Sequence, residues 1–287
     1  MFRGALYSIL IVMLAILVGL NFMGPDTQKD QAYKVASGSF KVSRFNVPSA
    51  GPLRGYFYEA PRDKFKSHTV SYWFQQRRYH AYVGRKAKDT IARPTVFLLH
   101  GSGRTGASMV DMWQKTADQH GLVLIAPDSA LQRGWSSWFD PPALLEVMIE
   151  DAVERYNIDR SQIFLFGHSA GGIYASLLAL EEASPFQSIA THAGFPNASI
   201  IAQTKAPTGR KPPITHFLGT KDHLFDVESA LVMGEAFAEA GYTTELVLMD
   251  RHTHWFYNIG LEISRKAMSI FQRRQGVKNR VSRDTRR

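Results

Sequence analysis

The chain has 287 residues, of which 45% are hydrophobic and 21% charged, and it contains no cysteine. This composition excludes an intrinsically disordered chain, and the lack of cysteine excludes disulfides, thiolate metal sites and a cysteine nucleophile. The net charge of +9 is concentrated at one end, because from residue 273 onward seven Lys and Arg face a single Asp. We therefore predict a basic, disordered tail over residues 273–287 that contacts anionic lipid, and no nucleic-acid-binding face.

The first predicted element is an uncharged apolar segment at residues 4–24. About 20 apolar residues are what a helix needs to cross a bilayer, and no small-x-small cleavage site ends this segment. We predict a transmembrane signal anchor, with a cleaved signal peptide as the alternative. Arg3 lies on the N-terminal side, which weakly favours an exported domain on the periplasmic or extracellular face. The polar residues 25–36 are expected to be a linker.

A single domain of strands and helices is predicted over residues 37–272. Alternating segments come first and predict antiparallel strands at Ser39–Asn46, Arg54–Glu59 and Tyr79–Val83. Continuous apolar runs follow and predict strands that are buried on both faces of a parallel sheet, at Thr95–Leu99, Leu122–Ala126, Ile163–Phe166, Ile214–Leu218 and Glu245–Met249. Helical segments are predicted at Met109–Gln119, Leu144–Tyr156, Gly171–Ala183, Val227–Ala240 and Gly260–Gln272.

This alternation predicts an α/β fold with a doubly wound, mostly parallel sheet. The segment Gly194–Pro213 is long and rich in proline, and it interrupts the pattern. It either shapes the mouth of a substrate site or forms an inert surface loop.

The sequence Gly167-His168-Ser169-Ala170-Gly171 stands between a predicted buried strand and a predicted helix. G-x-S-x-G in this setting is typical of a nucleophile elbow, a sharp turn that exposes the serine hydroxyl at the start of the helix. The two glycines are needed because side chains there would collide across the turn. We therefore predict that Ser169 is a nucleophile.

A serine nucleophile needs a base, and with this motif the acid and then the histidine follow the serine along the chain. Asp222 comes directly after a predicted strand and is the expected acid; Asp226 is the alternative, although it is also placed to cap the next helix. His254 is favoured over His252 as the base, because it precedes the closing helix and an aromatic residue. No carboxylate stands at metal-ligand spacing from these two histidines in the sequence. We therefore predict no metal and no cofactor.

An oxyanion hole requires two backbone N–H donors. Ala170 supplies one by its position, and Ser102, or alternatively Gly103, is expected to supply the other. His100 is expected to hold this loop. We also expect Trp135, Trp138 and His168 to contact the substrate, with core packing as an equal alternative for the tryptophans.

From about Tyr79 to Gln272 the chain resembles the α/β-hydrolase superfamily, and within it the poly(3-hydroxybutyrate) depolymerase-like and feruloyl-esterase-like group of serine esterases. The resemblance rests on Leu98-Leu99-His100-Gly101, Ala126-Pro127-Asp128, the Ser169 motif and Gly219-Thr220-Lys221-Asp222. It departs from that group at Arg251-His252-Thr253-His254, where a Gly-His is common, and in having no cysteine near Trp135.

The resemblance implies that carboxylic esters are cleaved through an acyl-enzyme, with Ser169 as nucleophile, His254 as base and Asp222 as its partner. The substrate would be a small or polymeric ester. A serine peptidase of the prolyl-oligopeptidase kind shares the same order of residues and is one alternative. A non-catalytic binding protein with the same fold is the other.

Overall fold

The structure is a computed structural model that describes residues 38–47, 65–205 and 207–284, with side chains as far as residue 276. The chain divides into two units, residues 1–34 and 35–287, and every element given below belongs to the second. The predicted membrane segment, the predicted linker and the predicted strand Arg54–Glu59 lie outside the described residues. None of the helices described combines the length and the hydropathy that a membrane span requires.

Nine strands in the described part of the chain form one sheet. In chain order they are β1 (Ser39–Arg44), β2 (Lys66–Tyr72), β3 (Gln75–Val83), β4 (Arg93–Leu99), β5 (Val123–Pro127), β6 (Ile158–His168), β7 (Ile189–His192), β8 (Ile214–Gly219) and β9 (Thr243–Met249). Their order across the sheet is β1-β9-β8-β7-β6-β4-β5-β3-β2. Of these nine strands only β3 runs against the others, because it pairs antiparallel with both β2 and β5.

Helices cover both faces of this sheet. The helices that the structure describes are α1 (Gly106–His120), α2 (Pro142–Tyr156), α3 (Ala170–Leu178), α4 (Ala198–Gln203), α5 (Val227–Glu239) and α6 (Gly260–Asp284). One buried apolar cluster joins the sheet to α2, α3 and α5, and a second joins it to α1 and α6. The central strands face a core on both sides, and this is why they are continuous apolar runs. The predicted doubly wound, mostly parallel sheet is confirmed.

The prediction of antiparallel N-terminal strands is wrong for β1. β2 and β3 do form an antiparallel pair, but β1 lies at the opposite edge of the sheet and pairs parallel with β9. The alternating pattern of Ser39–Arg44 identifies a strand with one covered face. It carries no information about the partner strand, which is about 200 residues away along the chain.

Three short elements have no counterpart in the sequence-based prediction. β2 is mostly exposed and polar, β7 has only four residues, and α4 interrupts the segment Gly194–Pro213 that the sequence predicts to be irregular. β7 and α4 have too few residues to establish a periodicity, and β2, although seven residues long, lacks an apolar run because most of its side chains are polar and exposed.

The closing helix extends beyond the predicted end at Gln272, so the expected disordered tail is helical as far as Asp284. Arg274 is largely buried and donates to Ser188 Oγ and to the carbonyl of Ile214, 2.9 and 3.3 Å away. The carboxylate of Glu245 lies within 4 Å of the guanidinium groups of both Arg273 and Arg274. These two arginines therefore belong to the folded domain, and a buried Arg274 is not available for the predicted contact with lipid.

Candidate active site

Ser169 lies in a sharp turn between β6 and α3, and its backbone has φ +52° and ψ −119°. A non-glycine residue at positive φ is strained, and such strain is stored at functional sites. A Cβ atom on Gly167 would lie 2.2 Å from the carbonyl oxygen of Gly171, and one on Gly171 would lie 2.3 Å from that of Leu99. The turn can therefore form only with glycine at both positions.

Three side chains from separate loops meet at this turn. His254 Nε2 lies 2.9 Å from Ser169 Oγ, and His254 Nδ1 lies 2.9 Å from Asp222 Oδ2. Asp222 follows the end of β8 and His254 follows β9, so neighbouring parallel strands deliver the acid and the histidine to the same edge of the sheet. The ring of Phe225 stacks on that of His254 with centroids 5.8 Å apart, which fixes the orientation of the imidazole.

The carboxylate of Asp222 is a charged acceptor inside the protein, and its side chain is fully buried. Burial raises the pKa of this carboxyl, but the hydrogen bond and charge of His254 and the N–H groups of Leu224 and Phe225 lower it overall. An ionised Asp222 holds the Nδ1–H tautomer of His254, which leaves Nε2 free to accept the proton of Ser169.

The alternatives that the sequence leaves open for the acid and the base are placed elsewhere. Asp226 caps helix α5, where its carboxylate accepts from the N–H and hydroxyl of Ser229. His252 is buried, and its Nε2 lies 3.0 Å from Nε2 of His192. The geometry thus joins Ser169 to His254 and Asp222.

The loop that follows β4 passes close to Ser169, because a Cβ atom on Gly101 would lie 3.2 Å from Ser169 Cβ. The N–H of Gly103 donates to the carbonyl of Gln132 at 2.7 Å and is therefore engaged. Ser102 stays the candidate donor from this loop. Ala170 is the first residue of α3, where backbone N–H groups have no acceptor within the helix.

His100 and Trp135 hold the loop from behind. His100 Nε2 accepts the N–H of Ser129 at 3.0 Å, and its Nδ1 lies 2.9 Å from the carbonyl of Gly101. The indole of Trp135 donates to the carbonyl of His100 at 2.8 Å and stacks on Tyr174. Trp135 thus packs against this loop, while its predicted contact with the substrate stays a prediction.

The other two predicted substrate contacts differ in exposure. Trp138 is 84% exposed and belongs to the surface, not to the core. His168 is only 5% exposed, and its ring packs against His192, His254 and Phe256. These contacts give His168 a packing role beneath Ser169, and the expectation that it contacts the substrate stays a prediction.

A chain of three buried imidazoles lies beneath the site, and sequence reasoning missed it. His168 Nδ1 lies 3.0 Å from His192 Nδ1, and His192 Nε2 lies 3.0 Å from His252 Nε2. Burial lowers the pKa of His168 to about 3 and that of His252 to about 4, and it lowers that of His192 as well, so all three are neutral. The signal in the sequence is that each histidine stands at or just beyond the C-terminal end of a strand.

The segment Gly194–Pro213 contributes to the site only at its beginning. A Cβ atom on Gly194 would lie 2.0 Å from the carbonyl oxygen of Ser169, and Phe195 packs edge-on against Phe225. Farther along, Arg210 donates to the carbonyls of Ser184 and Phe186. Within the described residues, no three His, Asp or Glu side chains are grouped so that they could hold a metal ion.

Residues 96–260 match the alpha/beta hydrolase family, which is more than half of the chain. The chain belongs to this family. Feruloyl esterase B of Neurospora crassa is 25% identical over 142 residues, which are 45% of this chain and 48% of that protein. The chain thus spans about half the length of the curated relative that it matches.

Solved structures share the fold at low sequence identity. An S-formylglutathione hydrolase from Agrobacterium tumefaciens superposes with a TM-score of 0.61 at 18% identity, covering 73% of this chain and 94% of that one. A ferulic acid esterase gives a TM-score of 0.62 at 14% identity, with 74% and 98% covered. A thermostable esterase gives 0.59 at 20%, with 74% and 63% covered.

Proposed function

We propose that this protein is a serine hydrolase that cleaves carboxylic esters through an acyl-enzyme. The observation that supports the proposal is the continuous hydrogen-bonded path from Ser169 through His254 to Asp222, with Ser169 in a strained turn. The esterases among the relatives and the structural neighbours agree with this chemistry.

In the first half of the reaction, His254 Nε2 takes the proton of Ser169 as Oγ attacks the ester carbonyl carbon. The N–H groups of Ser102 and Ala170 are the proposed donors to the oxyanion of the tetrahedral intermediate. The imidazolium of His254 is stabilised by Asp222 and returns the proton to the leaving alcohol, which frees it and leaves Ser169 acylated. Water then repeats the same steps and releases the carboxylic acid.

Labelling with a fluorophosphonate probe tests the nucleophile. The wild type should be labelled and Ser169→Ala should not, and Ser176→Ala serves as the matched control because Ser176 is buried in α3 and donates to the carbonyl of Gly172. An unlabelled but folded wild type would leave the non-catalytic binding protein as the better account. Equal turnover of 4-nitrophenyl esters and matched peptide anilides would favour a peptidase.

We also propose that residues 4–24 anchor an exported domain to the membrane. The support is the uncharged apolar composition of that segment and the position of Arg3 before it. Mass spectrometry of protein from the membrane fraction should find an intact N-terminus. A mature protein that starts near residue 25 would contradict the anchor and favour a cleaved signal peptide.

A further inference from the structure

A polar cavity of about 390 Å³ opens on the same edge of the sheet as Ser169. It is bounded by the start of β3, the loop after β4 and the loop after β5. The side chains that matter for its chemistry are Arg77, Arg78, His100, Arg104, Asp128 and Ser129. Its volume lies in the range of small-molecule sites, and ligands of open α/β sheets bind outside the carboxyl ends of the strands.

This cavity and the candidate active site share the loop that follows β4. His100 lines the cavity, while the next residue, Gly101, contacts the nucleophile. Arg104 lies at the other end of the loop, and its guanidinium carbon is 5.4 Å from the ring centroid of Trp255, the residue after His254. The same loop thus borders both Ser169 and the cavity, and a substrate long enough to cross it would reach both.

The charges that line the cavity favour an anion. Arg77, Arg78 and Arg104 contribute three guanidinium groups, against the carboxylate of Asp128 in the cavity wall and that of Asp140, 3.7 Å from Arg77 Nε. Burial raises the pKa of Asp128, but hydrogen bonds from His80, Gly106 and Arg78 lower it to about 2, so the carboxylate is ionised and already has its partners. Burial lowers the pKa of His100, which is therefore neutral.

Two buried donors of the cavity wall are not used within the described part of the protein. Ser129 is 6% exposed, and its Oγ has no hydrogen-bond partner among the described residues. The same holds for Arg77 Nε, which lies 3.7 Å from the nearest carboxylate oxygen, on Asp140. Buried polar groups are seldom left unpaired, because each loses its hydration without compensation. An acceptor-rich ligand in the cavity would pair the hydroxyl of Ser129, whereas Arg77 Nε is directed at Asp140.

We infer that this cavity binds a carboxylate carried by the substrate, so that the preferred esters are anionic at a position remote from the scissile bond. The inference rests on the proposed ester hydrolysis and adds a substrate class to it. The hydroxyl of Ser129 and the guanidinium group of Arg78 are the donors, and Asp128 orients Arg78 through its bond to Nε.

Matched ester pairs test the inference. On the acyl side, 4-nitrophenyl hydrogen adipate is compared with neutral 4-nitrophenyl hexanoate; on the alcohol side, 4-acetoxybenzoate is compared with its neutral methyl ester. We expect the wild type to prefer the anionic member of at least one pair in kcat/KM. The preferred pair also shows whether the acyl or the alcohol part of the substrate occupies the cavity.

Arg78→Gln should lower the ratio of anionic to neutral kcat/KM by about tenfold, the usual worth of a charge-assisted hydrogen bond. Ser129→Ala should lower the same ratio by a smaller factor. Arg85→Gln is the matched control, because Arg85 is exposed and pairs with Asp118 much as Arg78 pairs with Asp128, but it does not line the cavity. Arg85→Gln should leave kcat/KM unchanged for both the anionic and the neutral ester.

The two proposals fail in different ways. If neutral esters are hydrolysed but no anionic preference exists, or if Arg78→Gln and Arg85→Gln behave alike, the cavity does not bind a carboxylate although the ester hydrolysis stands. If no ester is hydrolysed, the hydrolase proposal fails, and calorimetric titration with monomethyl adipate then tests the cavity alone. Weaker binding to Arg78→Gln than to Arg85→Gln supports the carboxylate site, and equal or absent binding overturns it.

Discussion

Asp222 and Asp226 lie four residues apart in one loop but have unrelated surroundings. Asp222 is buried against His254, whereas Asp226 caps α5 from the surface. The sequence indicates both as possible acids, because each follows a strand and precedes a helix. What distinguishes them is the position of His254, 32 residues later, and this depends on how β8 and β9 pair. The turn around Ser169 could be predicted from the sequence because glycines two residues before and two residues after the serine define it locally. The preference for Asp222 over Asp226 rests only on its position directly after a strand, and the sequence leaves both open.

The two aspartates form a matched pair for mutation. Asp222→Asn should lower kcat/KM by roughly 10⁴-fold with little change in stability, because an amide no longer stabilises the imidazolium and can hold the wrong tautomer. Asp226→Asn should leave kcat/KM within about twofold, since asparagine is an equally good helix cap. Steady-state kinetics on a 4-nitrophenyl ester and denaturant unfolding check both. Comparable activity of the two variants would contradict the role proposed for Asp222.

At the scale of elements, the site depends on where strands end. The buried runs from β4 to β9 could be predicted because they are bounded by polar residues and turns, with β7 as the exception. His192 at the end of this missed strand joins His168 in the nucleophile turn to His252 in the loop of His254. The three imidazoles therefore connect the two loops that must be held in register, although none of them contacts Ser169 Oγ.

His192→Phe removes both hydrogen bonds of this chain. We expect kcat for a neutral ester to fall by about tenfold with KM little changed. The reason is that the hydrogen bonds of His192 to His168 and to His252, each worth about 1 kcal/mol, are both lost and no longer connect the two loops. His216→Phe is the matched control: His216 is buried in β8 and is hydrogen-bonded to Thr191, but it is not part of the chain formed by His168, His192 and His252. It should lower stability without a comparable loss in kcat. Equal losses of kcat in the two variants would mean that only packing matters.

At the scale of the whole molecule, the described part of the domain contains five buried histidines whose pKa is lowered by burial: His100, His168, His192, His216 and His252. Burial lowers the pKa of His216 to about 3, as it does for His168. Between pH 6.5 and about 4 the unfolded chain binds a proton on each of them while the folded domain does not. The free energy of unfolding should therefore decrease as the pH falls through this range.

Each of these histidines contributes at most about 1.4 kcal/mol per pH unit. Denaturant unfolding between pH 7.5 and 5.5 measures the slope, and this range lies above the titration of the carboxylates. His216→Phe should reduce the slope of the free energy of unfolding against pH by the contribution of one buried histidine. His223→Gln is the control, because it replaces an exposed histidine and should leave the slope unchanged. A slope that is flat in the wild type, or unchanged in His216→Phe, would contradict this account.

The pairing of β1 with β9 has a consequence for how the chain is made. Ser43 and Glu245 are hydrogen-bonded across 202 positions of sequence, and the whole sheet from β2 to β8 is encoded between them. On the ribosome, Ser39–Arg44 emerges before β2 to β8 but has no strand to pair with until Thr243–Met249 has left the exit tunnel. This edge of the sheet is therefore completed only after β2 to β8 have all been made, and the earliest strand of the described chain is among the last to find its place.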